Sequence, residues 1–212
     1  MLFRSSPALP IALFGASWAG WPFAPLNYRL SGSELDALLA RLAAALLVVA
    51  DDRVPELSGR PGVEVRGRRA FLDEARRRGQ GELRTDWETD PDGIAVLLFT
   101  SGTTGPPKAA LLRQRHLVSY VLGSVEFGCA AEDEATLVAV PPYHVAGIAA
   151  IASSVYSGRR IVQLPSFSAQ GWLDAARTGG VTHAFVVPTM LTRIIDALGD
   201  AAPDLQIGRA HV

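Results

Sequence analysis

The stretch IAVLLFTSGTTGPPK, residues 94–108, changes character partway along. Its first six residues are uninterrupted apolar, as in a strand buried on both faces. The remainder holds glycines at 102 and 105 and prolines at 106 and 107. It also holds hydroxyls at Thr100, Ser101, Thr103 and Thr104, and one cation, Lys108. None of these residues can extend a core. In an open α/β sheet the carboxyl end of a buried strand is where ligands sit, so the segment falls where chemistry is expected.

Outward from this point the chain alternates between helical and extended patterns. Downstream, the expected elements are a helix over 116–128 and a strand over 135–140 that stops at Pro141-Pro142. Then come a helix over 147–156, a strand over 160–164, a helix over 169–177, a strand over 181–187 and a helix opening at Pro188. Upstream, residues 7–18 are expected as an apolar helix ended near Gly20. Ser31 and Glu34 form a capping-box signature ahead of Leu35, Leu38, Leu39 and Leu42. Residues 45–50 are a short strand stopped by Asp51 and Asp52. Residues 53–92 are polar and arginine-rich, with one helix over 70–78; Arg76, Arg77 and Arg78 fit a solvated helix end. Strand, crossover helix, strand, repeated, predicts an α/β fold: mainly parallel sheet flanked by helices.

Bulk composition narrows the function. With 212 residues, 49% hydrophobic and 19% charged, the chain is globular. A net charge of −1 argues against a nucleic-acid partner. The single cysteine, Cys129, cannot form an internal disulfide and fits a reducing cytoplasm. Residues 5–28 carry no charge and are long enough to cross a bilayer, but four prolines break the ladder that lipid makes obligatory. A buried helix-turn-strand is expected there, with a targeting segment as the rival and no transmembrane span.

The chemistry of the 100–108 segment follows from its residue types. Gly102 and Gly105 permit close approach, and backbone N–H groups with Ser101, Thr103 and Thr104 hydroxyls supply donors. Lys108 supplies charge. Together they describe an anion cradle for phosphate; composition alone leaves a plain surface connector equally open. A Walker loop is excluded, because only two residues separate the glycines and Ala109 follows the lysine.

Residues 98–108, LFTSGTTGPPK, closely resemble the phosphate loop of the adenylate-forming superfamily, which includes acyl-CoA synthetases, peptide-synthetase adenylation domains and luciferases. The resemblance implies that Thr100, Ser101, Gly102, Thr103, Thr104 and Gly105 grip ATP phosphates, with Lys108 as the catalytic charge partner. It also implies Mg2+, a carboxylic-acid substrate and CoA as co-substrate. Ala109 stands where the family has glycine, and Arg113-Gln114 where it often has Ser-His, so a role tied to that histidine does not carry over.

Three further stretches are similar to the same family. Residues 140–147, VPPYHVAG, resemble the segment walling the acyl pocket, which implies Tyr143 and His144 as substrate contacts and favours the acyl-CoA synthetase branch. Residues 18–27 and 181–190 resemble its helix-to-strand turn and its strand before a Val-Pro turn; His183 is expected to be structural.

Residues 1–206 are expected as part of the N-terminal adenylation domain and 207–212 as a non-native tail, since IGRAHV matches translated adapter DNA. The family's Tyr-Gly-x-Thr-Glu segment and terminal-domain lysine are not in this sequence, whose only lysine is Lys108. The expected function is therefore part of an ATP-dependent acyl-CoA synthetase, inactive as this segment. The alternatives are a non-catalytic nucleotide-binding or scaffolding module and another adenylate-forming enzyme, such as a peptide-synthetase domain.

Overall fold

Helix-forming apolar runs and short β-branched strands alternate along the chain. The computed structural model describes residues 5–42, 44–78, 81, 86–87, 90–100, 108–141 and 143–199. Two compact units are present, Met1–Arg113 and Gln114–Val212.

In the first unit, α1 spans Ala8–Trp18 and α2 spans Gly32–Leu39. Between them Phe23 bridges in parallel to Val96, its N–H donating to the Ala95 carbonyl at 2.8 Å. The capping box at α2 is complete. The Ser31 hydroxyl accepts from the Glu34 backbone N–H at 3.4 Å, and the Glu34 carboxylate accepts from the Ser31 N–H at 2.8 Å. Strand β1 (Ala45–Val49) leads through a 3-10 turn and α3 (Val54–Leu57) to β2 (Val63–Gly67). The two strands pair in parallel, and α4 (Arg68–Arg78) follows. Leu35, Leu38 and Leu39, at helical spacing on α2, pack with Leu26, Leu47, Val49 and Leu57.

Strand β2 falls in the polar stretch where only a helix is expected. It is concealed because Glu64 and Arg66 occupy one face and bond to each other at 2.7 Å, while Val63 and Val65 meet the core. Strands β3 (Ile94–Thr100) and β4 (Lys108–Arg113) then form an antiparallel pair. The first of these is the expected buried strand; the second falls where no strand is expected.

In the second unit, α5 (Gln114–Ser124) precedes a three-stranded parallel sheet of order β6-β5-β7, with β5 Ala135–Val138, β6 Arg160–Gln163 and β7 His183–Phe185. The central strand β5 is buried throughout. Helices α6 (Val145–Ser157), α7 (Ala169–Thr178) and α8 (Pro188–Leu198) follow the three strands in turn. Leu137 and Ala139 pack on one face of the sheet against Trp172, Leu173 and Ala176 of α7 and Met190 and Ile194 of α8. Connections out to β6 and back across to β7 run in opposite directions, so right-handed crossovers put α6 on the face opposite α7. Gly158 ends α6 at φ +79°, a left-handed turn that glycine adopts without strain. Three of the four strand pairings are parallel, so the fold is α/β with mainly parallel sheets flanked by helices, as expected.

Candidate functional site

Strand β3 brings Thr100 to its carboxyl end, and β4 begins at Lys108. The two are register partners, and the Thr100 hydroxyl donates to the Lys108 carbonyl at 3.4 Å. Residues 101–107, which include the predicted Ser101, Gly102, Thr103, Thr104 and Gly105, lie outside the described residues. Of the predicted phosphate-binding residues, the structure therefore places Thr100 and Lys108, side by side as the closing pair of a β-hairpin. Both are exposed. Behind them, Phe99 lies against the α2 core, with the Arg41 guanidinium 5.8 Å from its ring centre. Apolar packing along β3 thus fixes the point from which the donor-rich segment departs.

The second predicted pair follows β5. The chain leaves the buried Ala139 and Val140, passes Pro141 and reaches Tyr143 and His144 at the amino end of α6. Their rings stack obliquely, with centres 4.7 Å apart and planes at 51°. Tyr143 is half-buried and His144 exposed. His144 has extended backbone at φ −104° and its carbonyl accepts from the Gly147 N–H at 3.0 Å; no side-chain cap bond is formed. Its imidazole is thus not committed to capping the helix. The position is the carboxyl edge of a parallel sheet, where α/β folds hold their ligands.

The opposite edge of that sheet is built differently. Glu134, just before β5, accepts from Arg159 at 2.8 Å and lies 3.9 Å from Nδ1 of His183. The same nitrogen is 2.9 Å from the Thr182 hydroxyl, which also donates to the Ala135 carbonyl at 3.2 Å. The Arg159 hydrogen bond holds the Glu134 carboxyl below its ordinary range, against the desolvation that would raise it. This cluster ties the amino ends of β5, β6 and β7 together and is far in sequence register from the ligand edge.

Among the described residues no group of three or more His, Cys, Asp or Glu is placed to hold a metal ion. An open hollow of the first unit is lined by Asp36, Leu39, Ala40, Arg60, Pro61 and Val63, none of them predicted site residues; the Asp36–Arg60 ion pair at 2.8 Å occupies its wall. No helix among the described residues is long and apolar enough to cross a membrane. Sequence reasoning missed β4, and with it the hairpin that sets Thr100 opposite Lys108. The available signal was the apolar run Ala109–Leu112 before Arg113, at the lower limit of the windows that announce a strand and half alanine.

The chain is similar to the feruloyl-CoA synthase of Amycolatopsis sp, 30% identical over 189 residues, covering 89% of this chain and 38% of that protein. It is similar to the fatty acid–[acyl-carrier-protein] ligase ScoC of Streptomyces coeruleorubidus, 28% identical over 207 residues, covering 94% and 40%. Its fold is similar to that of ATP-bound MatB from Rhodopseudomonas palustris, with a TM-score of 0.75 and 26% identity over 91% of this chain and 39% of that one. The chain thus spans about two-fifths of the length of the curated relatives it matches. The family model described as AMP-binding enzyme matches residues 1–209, and with the α/β fold and the hairpin that presents Thr100 and Lys108 this places the chain in the AMP-binding enzyme family.

Proposed function

We propose that the chain is the nucleotide-gripping part of an ATP-dependent acyl-CoA synthetase. The observation that carries this reading is the β3–β4 hairpin, whose closing pair Thr100–Lys108 brackets the residues SGTTGPP. Thr100 and Lys108 hold the two ends of this donor-rich sequence at one point, and Lys108 adds charge where pyrophosphate departs. The residues fit ATP: a hydroxyl at Thr100, hydroxyls and glycine amides through Gly105, and the Lys108 ammonium. Mg2+ would be carried mainly by the ATP phosphates, whose charge it would neutralise; among the described residues no cluster of three or more His, Cys, Asp or Glu stands ready to hold it.

In the proposed reaction a substrate carboxylate oxygen attacks the α-phosphorus of ATP. The bond to pyrophosphate breaks, and an acyl-adenylate forms. The thiol of CoA then attacks the acyl carbon, and AMP leaves as the thioester forms. Thr100, Ser101, Gly102, Thr103, Thr104, Gly105 and Lys108 hold the phosphates, and Tyr143 with His144 contacts the acid. Residues 1–206 are read as part of the adenylation domain, working in the cytoplasm. The similarity to a ligase that charges an acyl carrier protein favours a second acceptor, a carrier-protein thiol in place of CoA.

Carboxylate-dependent exchange of labelled pyrophosphate into ATP tests the first half-reaction, on the protein at the length its gene encodes. Exchange that needs an acid is expected. Absence of exchange with every acid class overturns the reading. Supplying CoA or a carrier protein to the adenylate then separates the two acceptors.

A further inference from the structure

A buried polar atom without a partner destabilises the protein that holds it, so its position carries information. In the described residues such side-chain atoms are found on Ser6, Thr136, Ser153, Gln163 and Trp172. Thr136 sits near the amino end of β5, Ser153 is past the middle of α6, and Trp172 is on the core face of α7. Ser6 precedes α1 in the other unit. Gln163 differs from these. It is the last residue of β6, in register with Val138 at the end of β5, and so stands on the ligand edge of the parallel sheet.

The direction of its side chain follows from its neighbours. Val162 and Leu164 pack into the Leu137 cluster beneath α7 and α8. Strand alternation therefore turns Gln163 to the other face, the one covered by α6. The first turn of α6 begins at that same edge, directly after Tyr143 and His144, and its Gly147 and Ile148 are buried. The Gln163 carboxamide nitrogen is thus shielded from water, without a hydrogen-bond partner, and at the same sheet edge as the predicted acid contacts. It is the one amide in the sequence RIVQ, where an aliphatic residue would serve packing better.

We propose that Gln163 is a specificity-determining residue: its carboxamide N–H donates to an oxygen carried on the body of the acid substrate, remote from the reacting carboxylate. The substrate class is then an oxygen-bearing acid, such as one with a hydroxyl, ether or keto group, in preference to an unsubstituted alkanoate. This rests on the acyl-activating reading above.

The test compares wild type, Gln163→Leu and the isosteric Gln163→Glu in pyrophosphate exchange, with paired acids of equal length that do and do not bear an oxygen. Wild type is expected to favour the oxygenated acid in kcat/KM by roughly fivefold or more, since a site built around a hydrogen bond rejects a ligand that lacks the partner. Gln163→Leu is expected to lose that preference while retaining its rate on the alkanoate, and Gln163→Glu to lose it as well.

Melting of the unliganded proteins gives an independent readout. Removing an unpaired donor leaves the Tm of Gln163→Leu equal to or above wild type, whereas a structural amide would lower it. No preference in wild type, a preference retained in Gln163→Leu, or a lowered Tm for that variant overturns the proposal. No exchange with any acid overturns the acyl-activating reading itself.

Discussion

Lys108 is the only lysine of the chain, and the ladder sets it opposite Thr100 in the closing pair of a hairpin. An exposed ammonium in that place contributes little to folding, so its value is tested on the ligand. Lys108→Ala is expected to weaken ATP binding by about 1.5–3 kcal/mol, the usual range for a hydrogen bond to a charged group, or roughly 10- to 150-fold in Kd. Titration calorimetry with ATP measures this directly, and an unchanged Kd removes Lys108 from the phosphate contacts. Tyr143 and His144 belong to the acid instead. His144→Ala is expected to raise KM for the acid several-fold at unchanged KM for ATP, because the imidazole touches neither phosphate nor ribose in the proposed reading. A change confined to the ATP parameters would reverse that assignment. At this scale residue types from Thr100 to Lys108 leave an anion cradle and a surface connector equally open, and it is the resemblance of the ordered motif that points to phosphate.

Elements are governed by local signals, and α2 shows how far these reach. Ser31 and Glu34 predict the helix start, and both bonds of the capping box form. Ser31→Ala is expected to cost about 1 kcal/mol, and to lower Tm by about 2–4 °C for a chain of this size. The effect depends on pH. Bonds from the Ser31 backbone N–H and hydroxyl hold the Glu34 carboxyl below its ordinary value. A depressed folded-state pKa contributes stability that is present above the unfolded carboxylate value, about 4.3, and is lost as pH falls through the folded one. The Tm gap between wild type and Ser31→Ala is therefore expected to narrow below about pH 4; melts at pH 7, 5 and 3.5 would show a constant gap if the box did not involve the charged form. Helices with caps and strands flanked by turn residues were legible in this way. Strands β2 and β4 were not: β2 pairs with β1, 18 residues upstream (Ala45 opposite Val63), and β4 carries only a short, partly exposed apolar run next to β3. Glu64 and Arg66 satisfy each other on one face of β2, and the apolar run of β4 is only Ala109–Leu112, two of its four residues alanine, against six apolar residues in β3. The expected strand over 181–187 contracts to His183–Phe185, the three residues that pair with Thr136–Val138 of β5.

For the whole molecule, the order of motifs was enough to predict the class of fold, whereas strand order was not. Nothing local says that β5 lies between β6 and β7, or that Gln163 ends beside Val138. Those facts come from burying Leu137 under α7 and α8, a choice made by the entire second unit. Leu137 is fully buried at the centre of that cluster, and Leu137→Ala is expected to cost about 2–5 kcal/mol through lost contacts and the cavity left behind. Urea unfolding measures it, and a cost below about 1 kcal/mol would mean that the cluster collapses freely around the change. Ligand binding is the complementary global property. A nucleotide that binds only the folded chain stabilises it by mass action, by about 2.7 kcal/mol when ATP is at 100 times its Kd. Tm is therefore expected to climb with the logarithm of ATP concentration. In Lys108→Ala the unliganded Tm stays at the wild-type value, since the side chain is exposed, while the climb shifts to higher ATP by the same factor as the loss in Kd. A Tm that ignores ATP in the wild type would show that the hairpin holds no nucleotide, and a lowered unliganded Tm in the variant would show that Lys108 serves the fold instead of the ligand.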